Sequence, residues 1–549
     1  MRLIREDNCA IGSPHLWTES WSGATRIRYR GSVINLDQFP SVEVYDEEAL
    51  LNEITRWART QHSCFALMIE SKRWLIGIAD QVRSIPLFYG GHSSGSHLSD
   101  SPYALLSSEQ NIPWRSDSVR EMLLSGYVHG VNTLVENIFT VAAGTIVLFD
   151  KTTFKKSVVP YFEYFPDQGE PIPDEELISR WSLALDEVFS GLAQSFATSE
   201  VLIPLSGGLD SRLVLAKLVE HGCKNIRTFS YGVKNNSEIS TAKLIAKRLG
   251  VEWLCLASQT NRLQTLYASE ERKKYSRLAG ALHITPSTLE YEAIRELKLH
   301  GLLNNNPVMI NGLSGDFLFG GHIPDEIIVS PTREVAIKKI IDKHVSQIRG
   351  VELTSYTESV RARLRQKLDT ADIQDGDVQN LCAFIENWDW KERQSKAVMV
   401  HQRVYEFFGV DWRLPFWDRR LLSVASKVPV AARYRQQIHQ KYLDRLNTTA
   451  VFTIPRVKTK LWQGHWRVTP FFVKCATFAL GSKARSWCYR KLYYFGYYRH
   501  QLGFFGISKF WRFSKIARPP FVVPIATMLY LWEGGVAIER HLDKVDHPR

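Results

Sequence analysis

The chain has 549 residues, 44% of them hydrophobic and 23% charged, which excludes a mostly unfolded chain and allows about two to four domains, each able to bury its own core. Its seven cysteines form no Cys-x-x-Cys pair and no metal-ligand spacing, so we expect scattered thiols in a reducing compartment. The start of the sequence contains no apolar signal segment, and the apolar stretch 520–532 is too short to cross a bilayer. We therefore expect a cytoplasmic protein.

The net charge of +12 is concentrated at the end of the chain, because residues 465–549 carry +10 of it. No acidic residue occurs between Trp466 and Trp532, a stretch that is also rich in aromatic residues. A basic, aromatic surface suits an acidic glycan, a lipid pyrophosphate, the inner face of a membrane or nucleic acid. The alternative is a helical cap packed on the rest of the chain, since aromatics at this density usually pack. Both interpretations stay open.

The first part of the chain is predicted to be rich in β-strands. Residues 65–69 and 73–79 form two apolar runs joined by a short polar turn, and 85–89 and 144–149 are further strand candidates. A stretch bounded by Pro160 and Pro173 follows, and we place a domain boundary there, after residue 165.

Strands and helices then alternate. A helix from Asp174 to about Phe196, with acids in its first turn, precedes the apolar strand 201–205. Further strands are predicted at 226–231 and 251–256, separated by a helix over 237–249 that ends at a glycine. Such alternation predicts a parallel sheet covered by helices. After about His322 the sequence is predicted to be mostly helical, and no alternation of strands and helices can be recognised.

The six residues Ser206-Gly207-Gly208-Leu209-Asp210-Ser211 join the strand 201–205 to the next helix. Free N–H groups and the positive end of the helix dipole meet there, and adjacent glycines let the backbone approach an anion, so the turn suits a phosphate. Asp210 supplies a carboxylate that can hold Mg²⁺ against phosphates. The common nucleotide-binding loop has a Lys after its glycines, whereas Asp210-Ser211 stands there in this chain.

Ser-Gly-Gly-x-Asp-Ser resembles the pyrophosphate loop of N-type ATP pyrophosphatases, and several blocks together resemble the asparagine synthetase superfamily up to about residue 465. Asp80 to Tyr89 looks like that family's Asp-x-x-Gly-x-x-Pro-Leu-Tyr-Tyr strand, and the segment from Gly126 to Gly144 is similar to the end of its first domain. Residues 311–321 resemble its second signature, Ser-Gly-x-Gly-x-Asp-Glu-x-Phe-Gly-Gly. The blocks Leu414 to Asp418 and Arg456-Val457-Lys458 are similar to Val-Pro-Phe-Leu-Asp and to the Arg-x-Lys of a loop that closes over the active site.

The resemblance implies an α/β protein of three parts. Residues 1–165 would form an antiparallel β-sandwich flanked by helices, of the glutamine amidotransferase type. Residues 170–465 would form a doubly wound parallel-sheet ATP pyrophosphatase domain, and 466–549 a basic, aromatic, helical C-terminal extension.

The activity implied by the resemblance is that of an ATP-dependent ligase, which activates a carboxylate as an acyl-adenylate, releases pyrophosphate and forms an amide with ammonia or an amine. Asp210 and Asp316 would share Mg²⁺ on the triphosphate. Lys458 would stabilise negative charge at the α-phosphate and at the oxyanion of the second step. ATP and pyrophosphate would contact Leu205, Ser206, Gly207, Gly208, Leu209, Asp210, Ser211 and Gly312.

This sequence also departs from the family. The family's glutaminase uses the cysteine exposed when the initiator Met is removed, but residue 2 is Arg, and Cys9 would need a further cleavage. Arg30 stands where the family places its oxyanion-hole Asn. We therefore expect an inactive amidotransferase-like domain and ammonia or a substrate amine as the nitrogen source.

Two departures concern the synthetase part. Leu313 occupies the position of a catalytic Glu in asparagine synthetases and of a Tyr in β-lactam synthetases, and Phe317 replaces the Glu after the metal aspartate. Leu cannot accept a proton, so a base must come from elsewhere. The candidates, by proximity to matched blocks alone, are Asp325, Glu326 and Glu392.

Residues 388–418 look like relatives from bacterial surface-polysaccharide pathways that amidate sugar uronates. An acidic uronate on a nucleotide or lipid carrier would suit the basic extension, which would place the protein in the cytoplasm at the inner membrane face. The alternatives are asparagine synthesis from aspartate, a tRNA-modifying pyrophosphate-loop enzyme, whose RNA affinity would fall steeply with salt, and a nucleotide-binding scaffold. We expect no nucleic-acid partner, and the sequence leaves the oligomeric state open.

Overall fold

The structure is a computed structural model, and the part of the chain that it describes comprises residues 9–10, 16–31, 36–92, 95–107, 112–166, 172–233, 237–258, 260–303, 307–345, 354–446, 450–456, 481, 484–485, 487–488, 491, 494 and 523–538. The predicted catalytic residue Lys458 and most of the predicted C-terminal extension lie outside these ranges.

The first part of the chain contains, within the described ranges, two sheets. The strands are β1 (Cys9–Ala10), β2 (Thr18–Ser22), β3 (Thr25–Gly31), β4 (Phe65–Glu70), β5 (Trp74–Ala79), β6 (Phe88–His92), β7 (Gly95–Ser99), β8 (Ile138–Thr140), β9 (Thr145–Asp150) and β10 (Lys156–Pro160). One sheet has the order β10-β9-β5-β4-β3-β2 and is antiparallel; the other has the order β1-β7-β6-β8 and is antiparallel except for the β1–β7 pair. Helices α1 (Glu47–Thr60) and α2 (Ser116–Ser125) and a 3₁₀ turn (Pro102–Leu105) complete it.

Alternation along the strands builds four layers. On β4, Phe65, Leu67 and Ile69 face α1, while Ala66 and Met68 belong to the cluster on the opposite face of the sheet. A Cβ on Gly77 of β5 would lie 2.9 Å from a methyl carbon of Leu98 on β7, so the two sheets pack closely. Helix α2 covers the outer face of the smaller sheet. The expected sandwich flanked by helices is confirmed.

The strand expected at 85–89 begins later, at Phe88. Residues 80–84 form a tight turn in which Asp80 Oδ1 accepts hydrogen bonds from the N–H groups of Val82 (2.9 Å) and Ser84 (3.1 Å). Pro86 then has no N–H to donate to a neighbouring strand. The side chain of Asp80 therefore organises the turn, and strand pairing starts only after it.

The second part contains a five-stranded parallel sheet in the described residues: β11 (Val201–Pro204), β12 (Ile226–Val233), β13 (Glu252–Ser258), β14 (Val308–Ile310) and β15 (Asp411–Arg413). The order is β13-β12-β11-β14-β15, and every neighbouring pair is parallel. The order runs one way from β11 to β13 and the other way from β14 to β15, which is the doubly wound arrangement that we expected. The switch point lies between β11 and β14, where ligands bind in such sheets.

Helices accompany this sheet: α3 (Asp174–Ser195), α4 (Asp210–Glu220), α5 (Ser237–Arg248), α6 (Thr260–Tyr267), α7 (Glu270–Gly280), α8 (Tyr291–Leu299) and α9 (Gly315–Leu318). The strand β15 was not expected from sequence. It has only three residues, and its backbone pairs with β14, which lies about a hundred positions earlier in the chain.

The region after His322 is mostly helical, as expected. Its helices are α10 (Asp325–Val329), α11 (Arg333–His344), α12 (Thr354–Thr370), α13 (Val378–Trp388), α14 (Arg403–Phe408), α15 (Arg419–Ala425), α16 (Val430–Arg433) and α17 (Gln437–Leu446), with 3₁₀ turns at Met399–Gln402, Pro415–Trp417 and Tyr434–Gln436. A π-helix, Asp389–Val398, continues α13. Helices α10 to α13 share a second hydrophobic cluster, to which Leu124 of α2 and Val430 of α16 also belong.

One further helix, α18 (Val523–Glu533), comes from the predicted extension. Tyr530 and Leu531 pack among residues of both main parts of the chain, including Met122 of α2 and Leu282. This described piece of the extension is therefore a packed cap, while the basic stretch before it lies largely outside the described ranges. No helix in the described ranges has the length and apolar character needed to cross a membrane. The domain limits 1–165, 170–465 and 466–549 stay predictions.

Candidate active site

Two loops meet at the switch point of the parallel sheet. The first follows β11 and leads into α4, and the second follows β14 and leads into α9. Because β11 and β14 are parallel neighbours, their carboxyl ends lie side by side. The two motifs singled out in the sequence, 206–211 and 311–316, therefore adjoin each other in space.

Hydrogen bonds from backbone N–H groups to the hydroxyls of two serines hold the first loop. The N–H of Ser206 donates to Ser211 Oγ across 3.1 Å, and the N–H of Gly208 donates to Ser206 Oγ across 3.1 Å. Ser206 and Gly208 are exposed, and Asp210 is the first residue of α4. The loop thus opens to solvent at the positive end of an eleven-residue helix, as a phosphate site requires.

The second loop needs glycine where it touches the first. A Cβ on Gly312 would lie 2.9 Å from the carbonyl carbon of Asp210, and a Cβ on Gly315 would lie 2.5 Å from Asp210 Cγ. Both distances are shorter than real Cβ contacts, so only glycine permits this approach. Between them, Ser314 adopts a left-handed backbone (φ 69°), and its hydroxyl donates to Gln394 Oε1 across 2.7 Å.

The approach of the loops joins the two predicted metal aspartates. The N–H of Asp316 donates to Asp210 Oδ2 across 3.0 Å. Burial, together with the negative charge of Asp316, raises the pKa of Asp210 to about 7. The side chain of Asp316 is 57% exposed. Two like charges thus face one opening, an arrangement that a divalent cation would stabilise.

A histidine that we did not anticipate lies beside this pair. His322 Nε2 is 3.0 Å from Asp316 Oδ2, and its Nδ1 is 2.7 Å from Asp389 Oδ2. Burial opposes protonation, but the bonds to Asp316 and Asp389 raise the pKa of His322 above its ordinary value. The buried Asp389 carboxylate also receives Lys343 Nζ at 2.5 Å. The position of His322, directly after the second signature, was the available signal in the sequence; Asp389 offered none.

The segment before Lys458 is tied to the first loop. Arg212 donates to the carbonyl groups of Val451 and Ile454, each across 2.9 Å, and to Gly207 O across 3.0 Å. The charge of Arg456 acts on Asp210. Lys458 follows two residues later, outside the described residues, and its role stays a prediction.

The three acids considered as bases are each engaged elsewhere. Asp325 accepts from Arg435 and Tyr434, each at 2.7 Å, and Glu326 pairs with Lys339. Buried Glu392 pairs with Lys396 at 2.5 Å and accepts from the N–H of Gly130.

The two substituted signature positions are apolar contacts. Leu313 is partly buried against the main core. Phe317 is fully buried and stacks on Trp417 with ring centres 5.8 Å apart. These residues pack rather than bind protons, and His322 is the titratable group that the fold brings to the aspartates instead.

In the first part of the chain, Arg30 of β3 contacts a residue of the second part. Its Nη2 lies 2.9 Å from Oε1 of Glu406, a fully buried carboxylate on α14. Cys9 lies in β1, paired with Leu98 of β7, and Arg2 lies outside the described residues. The side chain at position 30 thus joins the two main parts of the chain.

A magnesium ion fits the donor set at the loop junction. In the described ranges no group of three or more His, Cys, Asp or Glu side chains could hold a metal ion. Mg²⁺ is usually held by one or two carboxylates together with substrate phosphates and waters. Asp210 and Asp316 supply two carboxylates at one opening, which meets this requirement.

Comparison with known proteins finds a match to one protein family. Residues 192–450 match the sequence model of the family described as asparagine synthase. A solved structure of glutamine phosphoribosylpyrophosphate amidotransferase from B. subtilis, complexed with ADP and GMP, is 11% identical with a TM-score of 0.19, covering 47% of this chain and 76% of that chain. A structure titled as the allosteric regulatory enzyme of purine biosynthesis is 14% identical with a TM-score of 0.17, covering 54% and 56%.

These TM-scores are too low for either structure to bear on the fold or the function. No curated protein matches the sequence. The family assignment therefore depends on the segment that contains both loops and the aspartates joined between them. The chain therefore carries a domain of the asparagine synthase family over residues 192–450.

Proposed function

We propose that the protein is an ATP-dependent ligase that activates a carboxylate as an acyl-adenylate and converts it to an amide with ammonia or an amine. The observation that supports this most directly is the bond of 3.0 Å between Asp316 N–H and Asp210 Oδ2 at the switch point. It combines a phosphate-binding helix terminus with two carboxylates. The family that residues 192–450 match is one of ATP-dependent, amide-forming ligases.

In the first step a carboxylate oxygen of the substrate attacks the α-phosphorus of ATP. The bond from that phosphorus to the bridging oxygen of the β-phosphate breaks, and pyrophosphate leaves with the electron pair. The Gly-rich loop 206–209 and the N-terminus of α4 bind the departing phosphates. Activation is needed because a carboxylate is a poor electrophile.

Asp210 and Asp316 would hold Mg²⁺ in this state. The ion would supply charge neutralisation at the phosphates as pyrophosphate leaves. The residues themselves orient the two loops, and His322 fixes the direction of the Asp316 carboxylate through its bond of 3.0 Å.

In the second step the nitrogen of ammonia or an amine attacks the acyl carbon, AMP leaves, and the nitrogen loses a proton. Lys458 would stabilise the oxyanion. We infer that glutamine is not the nitrogen donor, because Arg30 stands at the oxyanion position and is held by Glu406.

The acid substrate that we propose is a sugar uronate, with aspartate as the alternative. The support is the resemblance of residues 388–418 to polysaccharide-pathway relatives and the basic charge of residues 465–549. An acidic carrier would be attracted to such a charge. Binding of this extension to a glycan or a lipid carrier, at the inner face of a membrane, is part of the same proposal.

ATP–pyrophosphate exchange tests the activity. Purified protein with Mg²⁺ is assayed against aspartate and a series of uronates, together with Asp210→Asn and the control Asp325→Asn, which removes an exposed carboxylate from α10. We expect exchange to require one particular acid. The exchange rate should fall about 100-fold or more in Asp210→Asn and should persist in Asp325→Asn. Amide formation from ammonia but not from glutamine would establish the nitrogen source. If none of the acids supports exchange in protein that binds ATP, the result would contradict the proposed activity.

A further inference from the structure

A π-helix lies next to the candidate active site. Helix α13, the π-helix Asp389–Val398 and a 3₁₀ turn follow one another without a break, ending in α14. π-Helical turns are rare and occur frequently at functional sites, because they alter the faces on which successive side chains lie. Here the π-helix begins at Asp389, which is hydrogen-bonded to His322.

One cation on the π-helix is not committed to a hydrogen bond. The side chain of Arg393 is 36% exposed, and its Nη1 lies 3.8 Å from Asp389 Oδ1, beyond hydrogen-bonding distance. In the described part of the chain no hydrogen bond engages its guanidinium. Its charge acts on Asp316 and on His401.

Three buried arginines differ from Arg393 in this respect. Arg212 donates to three carbonyl groups, and Arg83 donates to Ser395 O across 3.1 Å and contacts His283 Nε2 at 2.8 Å. Arg403 pairs with the buried Glu406. Those guanidinium groups are used to hold the protein together, whereas that of Arg393 is left for another partner.

Two residues that follow Arg393 along the chain are also partly open. Ala397 and His401 are partly exposed at intervals of four residues from Arg393, and His401 Nδ1 lies 3.1 Å from Ser287 Oγ. Leu313, partly buried, belongs to the loop that bears Asp316. Through Asp389 and His322, the guanidinium of Arg393 is linked to Asp316, one of the aspartates that we place at the phosphates.

The proposed reaction brings an anionic acid to a polyanionic nucleotide, so the acid needs a cation of its own. A guanidinium has two parallel N–H groups that match the two oxygens of a carboxylate. We propose that Arg393 binds the acid substrate through a carboxylate and determines the specificity for that class of compound. This inference rests on the proposed function and adds the residue that recognises the acid.

The test measures how exchange depends on the concentration of acid. Wild type, Arg393→Gln and Arg393→Lys are compared with aspartate, glutamate, glucuronate and galacturonate. Lys391→Gln is the matched control, because Lys391 is a cation on the same π-helix with 40% exposure but is paired with Glu163. Binding of the same acids to protein loaded with an ATP analogue that cannot be cleaved between the α- and β-phosphates, measured by calorimetry, makes the result independent of turnover.

In Arg393→Gln the KM and the dissociation constant for the acid are expected to rise about 10- to 100-fold, with the KM for ATP unchanged. Arg393→Lys should recover part of the affinity, and Lys391→Gln should behave as wild type. A rise in the KM for ATP without an effect on the acid would overturn the proposal. So would the absence of acid binding by the nucleotide-loaded wild type. If the acid-binding proposal fails in this way, nucleotide binding can still be compared between proteins. Binding by wild type that is lost in Asp210→Asn would support the ATP site of the proposed function.

Discussion

The main-chain N–H of Asp316 donates a hydrogen bond of 3.0 Å to Oδ2 of Asp210, joining two loops that are 106 positions apart in the chain. The bond orients the Asp210 carboxylate through the backbone of Asp316, which bears the second carboxylate. The spacing of the pair is therefore set by the contact between the loops, and changes to that contact should alter the chemistry more than the fold.

Gly315→Ala tests the loop contact. The new Cβ would lie 2.5 Å from Asp210 Cγ, so one loop has to shift. A displacement of about 1 Å at a reacting centre can lower the rate about 100-fold, and we expect such a loss in ATP–pyrophosphate exchange. The control Gly191→Ala, in α3 with nothing within 4 Å of the added Cβ, should keep its activity and gain about 0.5–1 kcal/mol in free energy of unfolding. Full exchange in Gly315→Ala would contradict the tight contact.

His322→Ala tests the link between the aspartates and the π-helix. The substitution removes the contacts to Asp316 (3.0 Å) and Asp389 (2.7 Å), so the Asp316 carboxylate loses its fixed direction. Loss of such a supporting partner typically weakens metal binding about 10- to 100-fold. The concentration of Mg²⁺ that gives half-maximal exchange should rise accordingly. The control His300→Ala, at the exposed end of α8, should leave this Mg²⁺ concentration unchanged. The same concentration in both variants as in wild type would contradict a role of His322 in the site.

His439 should make the protein sensitive to acid. Its ring stacks on Phe319 with centres 3.6 Å apart, and neither ring nitrogen has a hydrogen-bond partner within the described residues. Burial, followed by the charge of Arg456, lowers the pKa of His439 from 6.5 to about 3. Between these values the unfolded chain binds a proton that the folded protein does not bind, so stability falls as the pH falls from 6.5 towards 3.

The variant His439→Leu isolates this effect without leaving a polar group unpaired. Denaturant unfolding across this pH window should show a slope that is shallower by up to about 1.4 kcal/mol per pH unit than in wild type. His300→Gln, on the surface, serves as the control. An identical slope in all three proteins would mean that His439 is not neutral in the folded state.

Glu533→Gln tests the docking of α18. Both Arg272 amino groups contact Glu533, at 2.6 and 2.9 Å, and the Arg272 side chain is only 2% exposed. Removing one member of a buried ion pair destabilises a protein by about 3–5 kcal/mol, because the other charge is left unpaired. The control Glu270→Gln, which breaks the exposed pair with Lys273, should change the free energy of unfolding by less than about 1 kcal/mol. Equal melting curves for the two variants would show that α18 is not fixed by this pair.

The parts that sequence could predict are local ones. Residues 201–220 contain an apolar run, a Gly-rich turn and an apolar helical stripe in direct succession, so the strand, the loop and the helix terminus could be placed together. The alternation that follows predicts a parallel sheet for the same reason. In contrast, β15 has three residues, and no periodicity can be recognised over so short a length.

The sequence by itself determined that Asp210 begins a helix after a glycine turn, because this depends only on neighbours along the chain. Only the tertiary structure decided that Asp316 bonds to Asp210, that His322 reaches Asp389 across 67 positions, and that Arg393 lies beside them. The physical reason is that these contacts depend on the order of strands in the sheet and on the π-helix, which are products of packing between distant segments. The sequence motifs therefore indicate phosphate and metal binding, and the packing of distant segments determines which charged side chains lie together.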